Sequence, residues 1–279
     1  MALVGLITGS FLNVVIYRLP LMMEREWRSQ CRSLLGITDN SEIIDNSEVK
    51  TAEPFNLVIP RSRCPHCASM ISAFDNIPII SYLLLRGKCR HCHHPISLRY
   101  PAIELTSGIL TALVAWHFGF QIQALLAVLL TWALICLTMI DFDHQLLPDD
   151  ITLPFLWLGL IANMFNLFTD IYSSLSGAIG GYGVLWTVFI AFKLVTGKEG
   201  MGHGDFKLLA MLGAWLGWQS LLLIVLLSSV LGAIVGISLI IFARHGRHIP
   251  IPFGPYLAFA GWIAMLRGPE IMHIYLNLL

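Results

Sequence analysis

Long apolar runs separated by short polar connections constrain this chain more than any other feature. They fall at residues 1–18, 101–118, 121–140, 151–169, 175–195, 206–218, 219–243 and 251–267. Composition says why they cannot all be core. The 279 residues are 56% hydrophobic and only 12% charged, against about 25% charged in a soluble domain. That much apolar surface exceeds what one core can bury, so lipid must solvate part of it. A backbone in lipid satisfies its own hydrogen bonds, which makes each run a helix. The expected fold is an all-α polytopic membrane protein with about eight transmembrane helices. Positive and negative side chains balance, 17 against 17, and no basic stripe points to nucleic acid. The bilayer is the expected partner; oligomeric state is left open.

The opening residues Met1–Pro20 lack the basic segment that starts a secretory signal, and Arg18 follows the apolar stretch instead of preceding it. They read as a signal-anchor with the N-terminus outside, although the run is short of the roughly 20 residues that span a bilayer. Positive charge tests the span count. With the N-terminus outside, every Lys and Arg except Arg267 lies in or beside a cytoplasmic segment: Arg18 to Arg99, Lys193, Lys198, Lys207, Arg244 and Arg247. Gly177/Gly181, Gly213/Gly217 and Gly232/Gly236 have the spacing that brings helix backbones together.

Two acidic segments stand at this cytoplasmic boundary. Asp141-Phe-Asp-His-Gln-Leu-Leu-Pro-Asp-Asp150 follows the third run, and Gly200-Met-Gly-His-Gly-Asp205-Phe-Lys207 opens the sixth. Carboxylates at a membrane boundary are costly and mark function. If Asp141 and Asp205 meet, they share a proton, supplying a base for water and an acid for an amine leaving group. Asp149 and Asp150, beside Pro148, read as helix caps, whereas Asp143 fits a cap or a site equally. Gly202 and Gly204 free the backbone to lie close to another chain. Lys207 either bonds near the site or reaches for the interface. His144 and His203 read as solvated loop histidines.

Between the first two runs lies a polar stretch containing Cys64-Pro-His-Cys67 and Cys89-Arg-His-Cys92. Two C-x2-C pairs suit a two-knuckle structural zinc site, and the reducing cytoplasm argues against disulfides. His66, His91, His93 and His94 could substitute for a ligand, but four thiolates already close a tetrahedral site. That stretch is expected to form a small zinc-ribbon-like cytoplasmic domain. Cys31 and Cys136 read as ordinary thiols, and residues 26–55 carry no motif.

Together these segments resemble the type IV prepilin peptidases, bifunctional leader peptidase/N-methyltransferases of bacterial pilus and type II secretion systems. The resemblance rests on Gly9-Ser-Phe-Leu-Asn-Val-Val-Ile-Tyr-Arg-Leu-Pro20, Asn56 to Cys67, Asn76-Ile-Pro-Ile-Ile-Ser81, Arg99-Tyr-Pro-Ala-Ile-Glu-Leu105, Asp141 to Asp149 and Gly202-His-Gly-Asp205-Phe-Lys-Leu-Leu-Ala210. It implies that Asp141 and Asp205 are the catalytic aspartates, and that prepilins and pseudopilins with glycine-terminated leaders are substrates. It further implies cleavage at the cytoplasmic face of the inner membrane and methylation of the new N-terminus from S-adenosylmethionine. No glycine-rich dinucleotide-type fingerprint is visible, so the methyl donor rests on the resemblance alone. Gly202, Gly204, Lys207, Asp143 and Asp149 are the supporting candidates. The expected division is residues 1–18 as the first transmembrane helix, 19–100 as the cytoplasmic zinc domain and 101–279 as the membrane peptidase core. The competing reading is a metal-handling transporter or chaperone, with the cysteines as a cytosolic site and the carboxylates as a path. Carboxylates gathered at one boundary, without repeated halves, argue against it.

Overall fold

Every expected apolar run folds as a helix. The computed structural model describes residues 1–36, 55–72, 74–197, 201–242 and 252–278; Lys198, Gly200, Arg244, Arg247 and residues 37–54 lie outside these. In chain order the helices are α1 (Ala2–Leu34), α2 (Ile80–Leu84), α3 (Arg99–Phe118), α4 (Ile122–His144), α5 (Asp149–Met164), α6 (Ile171–Thr196), α7 (His203–Leu216), α8 (Gln219–Phe242) and α9 (Gly254–Leu278). α1 and α3 to α9 correspond one to one with the eight runs, and α2 is an addition. Among the described residues, four helices are long and apolar enough to cross a membrane: α1, α4, α6 and, within α8, Gln219–Leu239. α5 and α7, with 16 and 14 residues, fall short of the roughly 20 residues that span a bilayer. The chain divides into two compact units, Met1–Ala112 and Leu113–Leu279.

In the first unit, α1 does not stop at residue 18. It runs through Pro20 to Leu34, and past the proline it becomes a charged surface helix. Arg28 pairs with Glu24 at 2.6 Å, one turn apart, the spacing that supports a solvated helix. Arg18 is not a free interfacial charge. It is 8% exposed, and its guanidinium donates to the carbonyls of Asn56 (2.9 Å) and Pro60 (2.6 Å), tying the polar stretch to α1. α1 also lies almost in contact with α3. A Cβ on Gly5 would stand 2.6 Å from Thr111 Oγ1, and one on Gly9 would stand 2.7 Å from Glu104 Cα. The seam is thus a Gly-x-x-x-Gly pair that the reading of helix contacts overlooked.

In the second unit, α7 is the axis. Phe206, Leu208, Leu209, Met211, Leu212 and Trp215 are fully buried on all its sides, because α5, α6, α8 and α9 pack around it. A helix of 14 residues rises only about 21 Å, and it can be that short because protein, not lipid, surrounds it. Gly181 sits where a Cβ would be 2.6 Å from the Leu209 carbonyl, and Gly177 lies directly against the Gly213 carbonyl. Gly177, Gly181 and Gly213 therefore make the α6–α7 seam. Gly217 ends α7 with φ +80° and also lies in this seam, its carbonyl carbon 2.8 Å from a Cβ on Gly177, whereas a Cβ on Gly232 would only touch the Tyr256 ring at 3.4 Å. Buried Asn163 locks the far end. Its amide donates to Ala214 (2.8 Å) and Trp215 (3.0 Å), and its oxygen accepts from the Phe168 and Thr169 amides. Asp170 caps α6 by accepting from the Ser173 amide at 2.9 Å. On α8, Leu222, Leu226, Val230 and Ile234 form an exposed apolar stripe at four-residue spacing, a face suited to lipid.

Candidate active site and metal centre

Asp141 lies in the last turn of α4, and Asp205 is the third residue of α7. Both carboxylates are buried, at 5% and 7% exposed, and the charge of Asp141 acts on Asp205. Local sequence explains how the two helix ends meet. α4 closes one turn past Asp141 through Gln145 in the left-handed conformation (φ 52°, ψ 41°), whose amide donates back to the Asp141 carbonyl at 2.9 Å. The chain then turns through buried Leu147 to Pro148, which stands at the N-cap of α5. Leu147 forms a shared wall. A Cβ on Gly204 would lie 2.9 Å from Leu147 Cβ, and one on Gly254 would lie 3.2 Å from Leu147 Cδ1. The glycine next to Asp205 thus lets α7 close onto the turn that carries Asp141.

A third element completes the site. The backbone amide of Gly254, first residue of α9, donates to Asp141 Oδ2 at 3.0 Å in a buried hydrogen bond. The first amides of a helix lack intrahelical acceptors, so Asp141 satisfies one while the helix end favours its negative charge. No Cβ fits there: it would stand 2.6 Å from Asp141 Oδ2. Gly254 and Leu147 escaped the sequence reading, because one acts through its backbone and the other resembles any apolar turn residue.

The remaining candidates sort by position. Gly202 is the N-cap of α7 and its backbone bonds to the Asp205 carboxylate. Asp149 is not the cap of α5, since Pro148 holds that place and Asp149 opens the helix. Lys207 Nζ meets both Asp149 oxygens, at 2.8 and 2.7 Å, joining α7 to the start of α5 at the rim of the pair. Both partners are substantially exposed. Asp143 and His144 are exposed on the last turn of α4, and the His203 ring packs against Phe189 and Phe206.

In the first unit, Cys64, Cys67, Cys89 and Cys92 converge with their Sγ atoms within 4.8 Å of one another, and Cys64 Sγ and Cys92 Sγ lie 3.8 Å apart. Four sulfurs about 2.3 Å from a tetrahedral zinc would be about 3.8 Å apart, so the residues fit a closed metal site. The two knuckles repeat one fold. Cys64 N donates to Ser69 O and Cys89 N to His94 O; the residues after the second cysteines, Ala68 and His93, both have φ +56°. Isolated bridges at Arg63–Met70 and Lys88–Pro95 close each knuckle. The repeat was visible as Cys-x-His-Cys-x-x-x-Ile-Ser at residues 64–72 and 89–97. Ser69 Oγ lies 2.9 Å from Cys67 Sγ and holds that thiol down to about 6, the direction a thiolate ligand needs. His66 and His94 stack on one another at 4.4 Å.

These features define a helical membrane protein with a buried carboxylate pair and a separate cysteine metal site. Comparison with known proteins narrows the class. The model of the bacterial peptidase A24 N-terminal domain matches residues 3–118, and that of the type IV leader peptidase family matches residues 128–237. Proteins named prepilin leader peptidase/N-methyltransferase are 56% identical in Stutzerimonas stutzeri (98% of this chain, 91% of the relative) and 55% in Pseudomonas aeruginosa (99% and 92%). One from Aeromonas hydrophila is 53% identical, again over 99% and 92%. No solved structure is a significant match. The chain belongs to the type IV leader peptidase family. Nothing in the comparisons favours a metal-handling transporter.

Proposed function

We propose that the chain removes glycine-terminated leaders from prepilins and pseudopilins and methylates the N-terminus so exposed. The observation that carries the first activity is the burial of Asp141 and Asp205 together, at the meeting of α4, α7 and α9. Names carried by relatives over 50% identical across nearly the whole chain support both activities.

Asp141 and Asp205 act as a dyad holding one proton between them. The ionised carboxylate takes a proton from water as that water adds to the scissile carbonyl. The protonated partner gives its proton to the departing amine, and the peptide bond breaks. The titration belongs to the pair. Asp141 is anchored by the Gly254 amide, Asp205 by the Gly202 backbone. Lys207, Asp149, Gly202 and Gly204 hold the frame, and exposed Asp143, on the same last turn of α4 as Asp141, is the candidate for substrate contact. The distribution of Lys and Arg supports eight spans with the dyad at the cytoplasmic face of a bacterial inner membrane, where a basic leader would lie. In this scheme residues 19–100 are the cytoplasmic domain and 101–279 the peptidase core. Cys64, Cys67, Cys89 and Cys92 would hold a structural zinc that supplies folding energy to the loop. S-adenosylmethionine supplies the methyl group.

Co-expression with a glycine-leader prepilin tests the reading. The wild type should yield pilin lacking its leader and heavier by one methyl group. Asp141→Asn and Asp205→Asn should yield full-length prepilin, and leader loss in either would remove that aspartate from the mechanism.

A further inference from the structure

Three segments that carry the family resemblance take no part in the carboxylate dyad: Gly9–Pro20, Asn76–Ser81 and Arg99–Leu105. All three converge in the first unit on one side chain, Glu104 of α3. Its carboxyl group is buried, at 9% exposed. It accepts the Ile79 amide on Oε2 at 2.9 Å and is bonded by Ser10 of α1. Gly9 brings α1 against the Glu104 backbone, and Asn13, one turn on, donates to the Tyr100 carbonyl at 3.2 Å. Ser10, Asn13 and Ile79 are only partly covered, so the carboxyl group lies one layer beneath reachable surface.

Two features set this arrangement apart from ordinary packing. Ile79 has φ 60° and ψ −48°, and the Ile80 amide closes on the Pro78 carbonyl at 2.5 Å. That is the rare, strained form of the γ-turn, adopted by a β-branched residue for which positive φ is a genuine outlier. The strained residue is the one whose amide meets Glu104, and strain of this kind persists where the surroundings enforce it and gathers at binding sites. The second feature is charge. The two groups bonding Glu104 are neutral, and among the described residues no Lys, Arg or His pairs with it. A buried carboxyl group without a cation is costly to ionise, and a cationic ligand beside it would favour the carboxylate.

The geometry points to Glu104 as the acceptor of the substrate's new α-ammonium group during N-methylation. This rests on the methyl-transfer half of the function proposed above. An ammonium group cannot attack a methyl carbon until it loses a proton. Glu104 takes one proton, leaving a neutral amine with its lone pair free. The amine nitrogen forms the N–C bond with the sulfonium-bound methyl, the C–S bond breaks with its electron pair going to sulfur, and the product leaves as a protonated secondary amine. Ser10 and the Ile79 amide keep the carboxyl oxygens aimed while the proton moves.

The test uses the purified full chain, a prepilin, and mature pilin peptides with a free or an acetylated N-terminus. Glu104→Gln keeps the size and hydrogen bonding of the side chain but cannot take the proton. It should cleave prepilin normally, while methyl transfer falls about a hundredfold or more, the range of a lost general base. Wild-type protein should bind the free-amine peptide more tightly than the acetylated one, and Glu104→Gln should bind both alike. Ser10→Ala should weaken methyl transfer in part, and it serves if the glutamine variant fails to fold. Methyl transfer or free-amine preference persisting in Glu104→Gln would overturn the assignment. So would parallel loss of cleavage, zinc and methylation in both variants, which would mark a structural tether. A wild type that cleaves without methylating would instead refute the methyl-transfer reading, and the binding comparison would still decide Glu104.

Discussion

Replacing Gly254 with alanine tests the anchoring of Asp141 more sharply than removing the aspartate. The added methyl carbon would lie 2.6 Å from Asp141 Oδ2, where ordinary contact begins near 3.4 Å. Leu147 Cδ1, 3.2 Å from the same point, blocks one escape, and α9 is held by its packing on α4, α7 and α8. The carboxylate therefore has to give way by roughly 0.8 Å, and a misplacement of about 1 Å in a catalytic group costs about a hundredfold. That corresponds to about 2.7 kcal/mol in the barrier. Leader cleavage by purified Gly254→Ala should show kcat reduced on this scale with KM unchanged, because the substitution touches the carboxylate proposed to act on the scissile bond and not the leader. In an Asp141→Asn background, Gly254→Ala should add nothing, since the two act through one carboxylate. Wild-type kcat in Gly254→Ala, or full additivity with Asp141→Asn, would refute this account of the anchor.

Other perturbations separate structural from catalytic roles. Lys207→Ala breaks an exposed ion pair with Asp149, so thermal unfolding should show a loss below about 1 kcal/mol; a larger loss would mean that the pair braces α5 against α7. Asn163→Ala removes the side-chain partner of the Trp215 carbonyl and of the Phe168 and Thr169 amides in the turn after α5, while the Ala214 carbonyl keeps Ser174 Oγ. Each costs about 1–3 kcal/mol, so denaturant unfolding should show at least about 3 kcal/mol lost. Metal analysis of freshly purified protein should find one zinc per chain, reduced in Cys64→Ser and Cys89→Ser. Because the ligands are thiolates, zinc should leave as pH falls and return as it rises; retention in strong acid would exclude a thiolate site.

The helices and both carboxylates were legible because periodic, one-sided signals encode them. An apolar run has one solution in lipid, and an acidic residue at its end is too costly to be incidental. The meeting of Asp141 with Asp205 followed from putting both on one side of the membrane. The sequence was silent where backbone atoms act. Gly254 anchors Asp141 through an N–H that every residue but proline possesses, and only the crowding at its Cα explains glycine there. The sequence reading of a first span over residues 1–18 did not show that the helix itself continues past Arg18 to Leu34. The Arg18 guanidinium donates to two carbonyls of the loop it holds, and the helix passes through it. Gly5 and Gly9 hid in a run whose apolar character drew attention first. The cysteine knuckles were legible in number and spacing and in the repeated Cys-x-His-Cys-x-x-x-Ile-Ser pattern, while the shared turn geometry is given by the paired hydrogen bonds.

The central claim is that Asp141 and Asp205 work as one unit, and the cleavage rate of a purified prepilin by the single and double asparagine variants tests it most directly. Each single variant should fall to the same residual rate, and the double variant no lower, because either loss leaves no pair to hold and pass the proton. A single variant that still cleaves near the wild-type rate, or a double variant slower by the product of two independent losses, would contradict it.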